Sequence, residues 1–314
     1  MQEDLQKQIF LVIDGSAIVH RAYHAMPALT AEDGTPTGAV HGFFSMLLKL
    51  IQELSPSHIA VAFDRPKPTF RQELYKEYQA QRPTTASDLS PQFGIIINIL
   101  KEAHIPVYAV DGFEADDIIG TLSEAAKKVG DISYIVTGDR DMMQLVNGRT
   151  KVLMPIKGIS EMKLYDTDRV KEQFGVTPDK IVELKALQGD ASDNYPGVTG
   201  IGPKTAAGLV EEYGSVEEIY NHLEDIKKKN LKLYEKLAEG KDHAILGHQL
   251  ATILTSVPFE YNFDDCSMEN ISYKDWRRAF DGYNFKTLPK RLDEVFGKGK
   301  NEEGKKNPNQ MKLL

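Results

Sequence analysis

Apolar positions in the first 160 residues follow two rhythms. Short runs at Ile9–Ile13, Ile59–Phe63, Val107–Val110, Ile132–Val136 and Lys151–Met154 are apolar and rich in β-branched residues, and they read as buried strands. Between them Val40, Phe43, Phe44, Leu47, Leu48, Ile51 and Leu54 recur at helical spacing. Similar spacing predicts helices over 68–80, 88–103 and Ala115–Val129. Strand and helix in alternation predict βαβ units, hence an α/β fold with a mostly parallel sheet flanked by helices. Beyond about residue 165 the strand rhythm fades. Helices expected at 178–188, 203–213, 215–222, 230–254 and 273–281 describe a small all-helical unit. Residues 297–314 are polar until their last four positions and read as a disordered tail. The expected division is 1–176, 177–296 and 297–314, with no internal repeat.

Composition narrows the class. With 41% apolar and 27% charged residues over 314 positions, the chain is neither disordered nor collagenous. A single cysteine, Cys266, excludes an intrachain disulfide framework and a multi-cysteine zinc site, and it suits a reducing compartment. No apolar run approaches the ~18 residues that span a bilayer. Met1-Gln2-Glu3-Asp4 is acidic and runs straight into a strand, unlike a signal peptide. The expectation is a cytoplasmic monomer with no membrane partner. A net charge of −8 argues at first against nucleic acid.

The placement of the acids changes that picture. Asp14 follows the first strand, Asp64 the second, and Asp139 and Asp141 the fourth. Glu114, Asp116 and Asp117 open the helix that follows the third, and Asp190 and Asp193 enter from the helical unit. Any one of them could be an ordinary cap or turn residue. Open α/β sheets, however, bind ligands beyond the carboxyl ends of their strands, so these acids should meet at one edge. Carboxylates crowded there repel one another unless cations neutralise them. Oxygen donors without Cys or His select Mg²⁺ or Mn²⁺. Two such ions would clamp a phosphodiester, activate water and support the departing oxygen. Setting those nine acids aside leaves 37 of the 46 against 38 Lys and Arg, a nearly neutral body that permits a DNA partner.

Two segments could hold a polymer. Residues 65–82 interleave Arg65, Lys67, Arg71, Lys76 and Arg82 with Phe70, Tyr75 and Tyr78. Cations that track phosphates and rings that stack bases make this a candidate single-strand gate, against the plainer reading of an amphipathic helix. Gly197, Gly200 and Gly202 lead into Pro203, Lys204 and Thr205. The glycines resemble a nucleotide loop, but the lysine comes one residue late and a helix precedes them, so a hairpin gripping duplex backbone fits better. A structural tight turn is the alternative.

The stretches LVIDGSAIVHRAYHA, FEADDIIGTL, TGDRDMMQLV and LQGDASDNYPGVTGIGPKTA resemble, in order and over roughly residues 8–295, the bacterial 5'-3' exonuclease or flap endonuclease family. The likeness is greatest to the 5' nuclease domain at the N-terminus of DNA polymerase I. The resemblance implies a PIN-like catalytic domain over 1–176, with a helical arch at about 65–90. It implies a helix–three-turn–helix (SAM-like) DNA-binding domain over 177–296. It also implies two Mg²⁺ or Mn²⁺ ions and release of nucleotides or flaps from the 5' side of nicked or branched DNA, RNA-primed ends included. Asp14, Asp64, Glu114, Asp116, Asp117, Asp139, Asp141, Asp190 and Asp193 occupy the family's acidic positions. One ion falls to Asp64, Glu114 and Asp116 and the other to Asp139, Asp141, Asp190 and Asp193, with Asp14 and Asp117 assisting. Arg82 matches a position that steers the scissile phosphate, so Asp14, Asp64 and Arg82 are the expected catalytic residues. Arg21, Arg71 and Tyr78 match DNA-binding positions. The hairpin from Gly197 to Thr205 matches the duplex grip, where relatives can hold K⁺ on backbone carbonyls.

Polymerase domains do not follow within this sequence, which leaves a free-standing nuclease or a fragment as readings. Gln310-Met311-Lys312-Leu313-Leu314 resembles the short peptides by which bacterial proteins dock on the sliding clamp, and so favours the former. The rivals are a PIN-type ribonuclease, which would lack the Asp190/Asp193 pair and the glycine hairpin, and a branched-DNA scaffold without chemistry.

Overall fold

The computed structural model describes residues 8–158 and 161–297. The expected disordered tail, apart from Gly297, and the clamp-like peptide at Gln310–Leu314 lie outside the described residues.

A six-stranded sheet forms from β1 (Ile9–Asp14), β2 (His58–Ala62), β3 (Val107–Tyr108), β4 (Ile132–Val136), β5 (Thr150–Lys157) and β6 (Glu161–Tyr165). Its order is β3-β2-β1-β4-β5-β6, parallel except for β6. The chain builds outward from β1 through β2 to β3, then returns to place β4 on the other side of β1. A topological switch point therefore falls between β1 and β4, where loops leave in opposite directions and open a crevice.

Strand alternation makes two cores. Phe10 and Val12 point to one, Leu11 and Ile13 to the other, and all four are buried. The second core holds α1 (Gly15–Ala25), the almost wholly buried α2 (Gly38–Leu54) and α4 (Ser90–Glu102). The first holds α5 (Ala115–Val129) and runs without a break into Val198, Ile201, Ala206 and Leu209 of the helical unit. Sheet and helical unit thus share apolar packing, which fixes their relation more firmly than a linker would.

Several elements differ from the sequence expectation. The edge strand β6 escaped it because Lys163 and Glu161 break the apolar run. The helix expected at 68–80 shrinks to α3 (Phe70–Leu74). Tyr78 turns inward against Tyr195, and Gln79 adopts φ 56° while its N–H donates to Asp193 O at 2.9 Å, a docking that a continuous helix could not make. Next come α6 (Thr167–Phe174), α7 (Ile181–Gln188), α8 (Pro203–Tyr213), α9 (Val216–Asn221) and α10 (Leu223–Lys229). The helix expected at 230–254 is cut into α11 (Leu231–Glu239) and α12 (Lys241–Ala251) at Gly240, where a Cβ would lie 2.7 Å from Val198 Cγ1. The last two helices, α13 (Tyr273–Gly282) and α14 (Leu288–Phe296), leave the helical unit altogether. Trp276, Phe280, Leu288 and Leu292 pack with Phe44 and Ile96 on the α2/α4 side of the sheet. Among the described residues no helix is long and apolar enough to cross a membrane.

Candidate metal centre and nucleic-acid interface

Each acid reaches the crevice because the strand or helix before it ends there. Asp14 is the last residue of β1 and the N-cap of α1: Oδ1 accepts Ala17 N–H at 2.9 Å, and Oδ2 accepts the Thr137 hydroxyl at 2.7 Å. Asp64 follows β2 and accepts Ala115 N–H at 2.9 Å, which ties it to the start of α5. Glu114 and Asp117 form a capping box at that same helix start, where the macrodipole favours negative charge. Asp139 accepts Asp141 N–H at 2.8 Å in the turn after β4. Asp190 and Asp193 lie in and just after the two-residue strand β7 (Gly189–Asp190), which pairs with β8 (Tyr195–Pro196).

Two adjoining cavities collect these side chains. The larger, of about 820 Å³, is lined by Asp14, Asp64, Glu114, Asp116, Asp139 and Asp193. The smaller, of about 560 Å³, is lined by Asp139, Asp141 and Asp190. Asp139 and Arg82 border both. One carboxylate oxygen from each of Asp141, Asp190 and Asp193 lies within 4.8 Å of the others, a spacing that one metal ion could bridge. Eight of the nine acids therefore converge from five separate segments.

Asp117 is the exception. It is fully buried, borders neither cavity, and receives Arg71 through two bonds of 2.8 and 2.9 Å together with Leu254 N–H. Its carboxylate is turned to Arg71 rather than to the cavities where the other eight acids meet. Arg71 is turned inward with it. Only 2% exposed, it also bonds Glu114 and the carbonyls of Leu250 and Thr252, which leaves no donor for a phosphate. Tyr78, 3% exposed, bonds Glu114 and Asp193 and lies over Tyr195, so its ring offers no face to a base. Arg82 is half exposed and pairs with Asp193 at 2.7 Å at the junction of the cavities. Arg21 lines the larger cavity and donates to Gly158 O at 3.0 Å.

In the hairpin, Val198 and Ile201 are buried anchors, while Gly200, Gly202, Lys204 and Thr205 are exposed. Gly202 caps α8, whose first N–H groups therefore point outward beside Lys204, an arrangement suited to a phosphate. Gly197 has another task. A Cβ there would collide with the backbone of Gly189, so the residue permits the β7/β8 approach.

Charge crowding marks the crevice. Burial, reinforced by the charge of Asp64, lifts Asp14 to about 7. Burial likewise lifts Glu114 to about 7 despite Arg71, and Asp141 to about 7 with Asp139 adding repulsion. Asp116 is pushed well above the usual range by burial and by Asp139 and Asp14, and Asp139 is raised chiefly by burial. Among the described residues, Asp14, Asp64, Asp116 and Asp139 form no ion pair with a protein cation. Oxygen-only donors held without counter-charge fit one or more hard divalent ions.

Sequence reasoning missed Thr137, which positions both Asp14 and Asp139, and Lys185, which faces Asp141 and Asp190. The only local signal for Lys185 was its place in the last turn of a helix running straight into Gly189-Asp190.

An open α/β sheet with a carboxylate-lined crevice is thus joined to a helical unit that presents an exposed hairpin carrying Lys204. Residues 9–175 match the model of the 5'-3' exonuclease N-terminal resolvase-like domain, and residues 176–274 match that of the 5'-3' exonuclease C-terminal SAM fold. The chain belongs to the 5'-3' exonuclease family. It is 38% identical over 289 residues to DNA polymerase I of Bacillus subtilis (strain 168), covering 92% of this chain and 33% of that protein. To DNA polymerase I of Geobacillus stearothermophilus it is 42% identical over 259 residues, covering 82% and 29%. The chain thus spans about a third of the length of these relatives. Among solved structures, T5 5'-exonuclease with bound zinc is similar at a TM-score of 0.65 and 19% identity, covering 92% of this chain and 99% of that one. The catalytic core of Rad2 with a DNA substrate is similar at 0.58 and 18%, covering 93% and 92%. At these identities the likeness is one of fold.

Proposed function

We propose that the chain is a structure-selective 5' nuclease that hydrolyses DNA phosphodiesters at 5' ends, nicks and flaps, with two Mg²⁺ or Mn²⁺ ions held in the crevice. The observation that carries this reading is the convergence of eight carboxylates beside an exposed arginine, four of them without a protein cation among the described residues. When bound, the divalent ions supply Lewis acidity and lower the pKa of water.

The chain's own residues supply position and charge. Asp14, Asp64, Glu114 and Asp116 would hold one ion, and Asp139, Asp141, Asp190 and Asp193 the other. Thr137 orients Asp14 and the 139–141 turn through its hydroxyl. Arg82, the most exposed cation in contact with the acids, grips the scissile phosphate at the junction of the two cavities. Gly200, Gly202, Lys204 and Thr205 grip the duplex backbone without reading bases, since a helix N-terminus and an ammonium recognise phosphate alone. K⁺ on the 197–202 carbonyls would strengthen that grip.

The catalytic unit extends to about residue 176, and the DNA-binding unit follows it. The setting is the cytoplasm, the protein acts as a monomer in primer removal and excision repair, and Gln310–Leu314 provides a tether to a sliding clamp. Matched DNA and RNA 5' flaps, incubated with the protein and Mg²⁺, test the reading. Metal-dependent cleavage of the DNA flap is expected. Cleavage of RNA alone would favour a PIN-type ribonuclease, and tight flap binding without cleavage would favour a scaffold.

A further inference from the structure

The two cavities differ in how their negative charge is met. In the larger, Glu114 and Asp193 pair with Arg71 and Arg82, but among the described residues Asp14, Asp64 and Asp116 have no protein cation against them. In the smaller, the Lys185 ammonium lies between Asp141 Oδ1 and Asp190 Oδ2 in close contact with both. All three side chains are nearly buried, at 12, 11 and 11% exposure. Arg82, which borders both cavities, pairs with Asp193, the third member of the cluster that could bridge an ion. Lys185 stands on the last turn of α7, so the helix backbone fixes the root of its side chain while four methylenes leave the ammonium free to swing. It also lines the cavity of about 560 Å³, which gives the displaced ammonium somewhere to go.

We propose that Lys185 is a tethered counter-ion: it occupies the Asp141–Asp190–Asp193 position in the metal-free protein and yields it when a divalent ion arrives. The inference rests on the metal-dependent reading above and deepens it. It makes the two positions unequal. Ions fill the uncompensated Asp14/Asp64/Asp116 side first and more tightly. Filling the second requires the Lys185 ammonium to leave Asp141 and Asp190, or the ion to enter beside a like charge. A like charge at such a separation, in a protein-like dielectric, lowers affinity by about tenfold or more. Lys185 thereby sets the metal concentration at which both positions are filled, and it keeps the metal-free crevice from repelling itself open.

The test is Mn²⁺ titration of the full chain without DNA, followed by electron paramagnetic resonance and calorimetry, for wild type, K185M and K185R. Wild type is expected to show a tight and a weak class. K185M should tighten the weak class by about tenfold or more, equivalent to about 1.4 kcal/mol. K185R, which keeps the charge, should remain near wild type. In EDTA, K185M should melt below wild type and recover with Mn²⁺, and K185Q provides the same comparison with a polar side chain. An unchanged weak class in both uncharged variants, or the same tightening in K185R, overturns the proposal. If that happens while wild type still cleaves flaps with Mg²⁺, only the role of Lys185 falls. Wild type that binds no Mn²⁺ and cleaves nothing takes the metal-dependent reading with it.

Discussion

Arg71 separates the internal account from the surface account most sharply. Its guanidinium makes five bonds: two to Asp117, one to Glu114, and one each to the carbonyls of Leu250 and Thr252. Those partners belong to the start of α5 and the end of α12, so one side chain joins the arch segment, the sheet domain and the helical unit. Arg71→Met keeps the stem and removes the charge and every donor. Asp117 would then be a buried carboxylate with only Glu114 and Leu254 N–H groups for support. Breaking a buried pair from one side costs about 3–5 kcal/mol. The two surviving N–H bonds place the expectation near the lower end, at about 3 kcal/mol, with two orphaned carbonyls adding to it. Urea unfolding in EDTA measures this directly. Adding Asp117→Asn should recover part of the loss, because the uncompensated charge disappears. An unshifted midpoint together with lost flap binding in Ca²⁺ would show that Arg71 reaches DNA and that its burial is wrong.

Further expectations follow from the crevice. In the folded, metal-free protein Asp14, Glu114 and Asp141 titrate near 7 instead of their ordinary 3.8, 4.5 and 3.8, so folding favours their protonated forms. That contribution is complete below about pH 4 and disappears as pH rises through about 7, so the melting temperature in EDTA should fall between about pH 4 and 7 and level off above. Saturating Mg²⁺ should abolish the fall, and a flat profile in EDTA would contradict the crowding. Asp139→Ala combined with Asp141→Ala should abolish cleavage while flap binding in Ca²⁺ persists; undiminished cleavage refutes the assignment. Lys204→Ala should weaken duplex binding equally for all sequences and lower the salt slope by about one, and a sequence-dependent loss would rule out a backbone grip.

How far the sequence alone reaches depends on the kind of contact. Strands β1, β2 and β4 and the acids that end them were legible because buried strands are local apolar runs and their tips are fixed by the next residue. The convergence of acids followed from the sheet rule for crevices. Partners of the polar groups were not legible. Arg71 looked like a surface cation because nothing local shows that Leu250, Thr252 and Asp117 close over it from as far as 181 residues away. Tyr78 and Gln79 ended a promising helix for the same reason, through a long-range contact with Asp193. Trp276 and Phe280 carried a helical stripe in sequence, but which core that stripe would join was set by α2 and α4, far upstream.

Crystals of the protein grown with Mn²⁺ and measured at the manganese absorption edge put the central claim to its most direct trial. Two anomalous peaks are expected, one against Asp14, Asp64, Glu114 and Asp116 and one against Asp139, Asp141, Asp190 and Asp193. A map without manganese at the sheet's carboxyl edge, or with its peaks elsewhere on the molecule, would contradict the account.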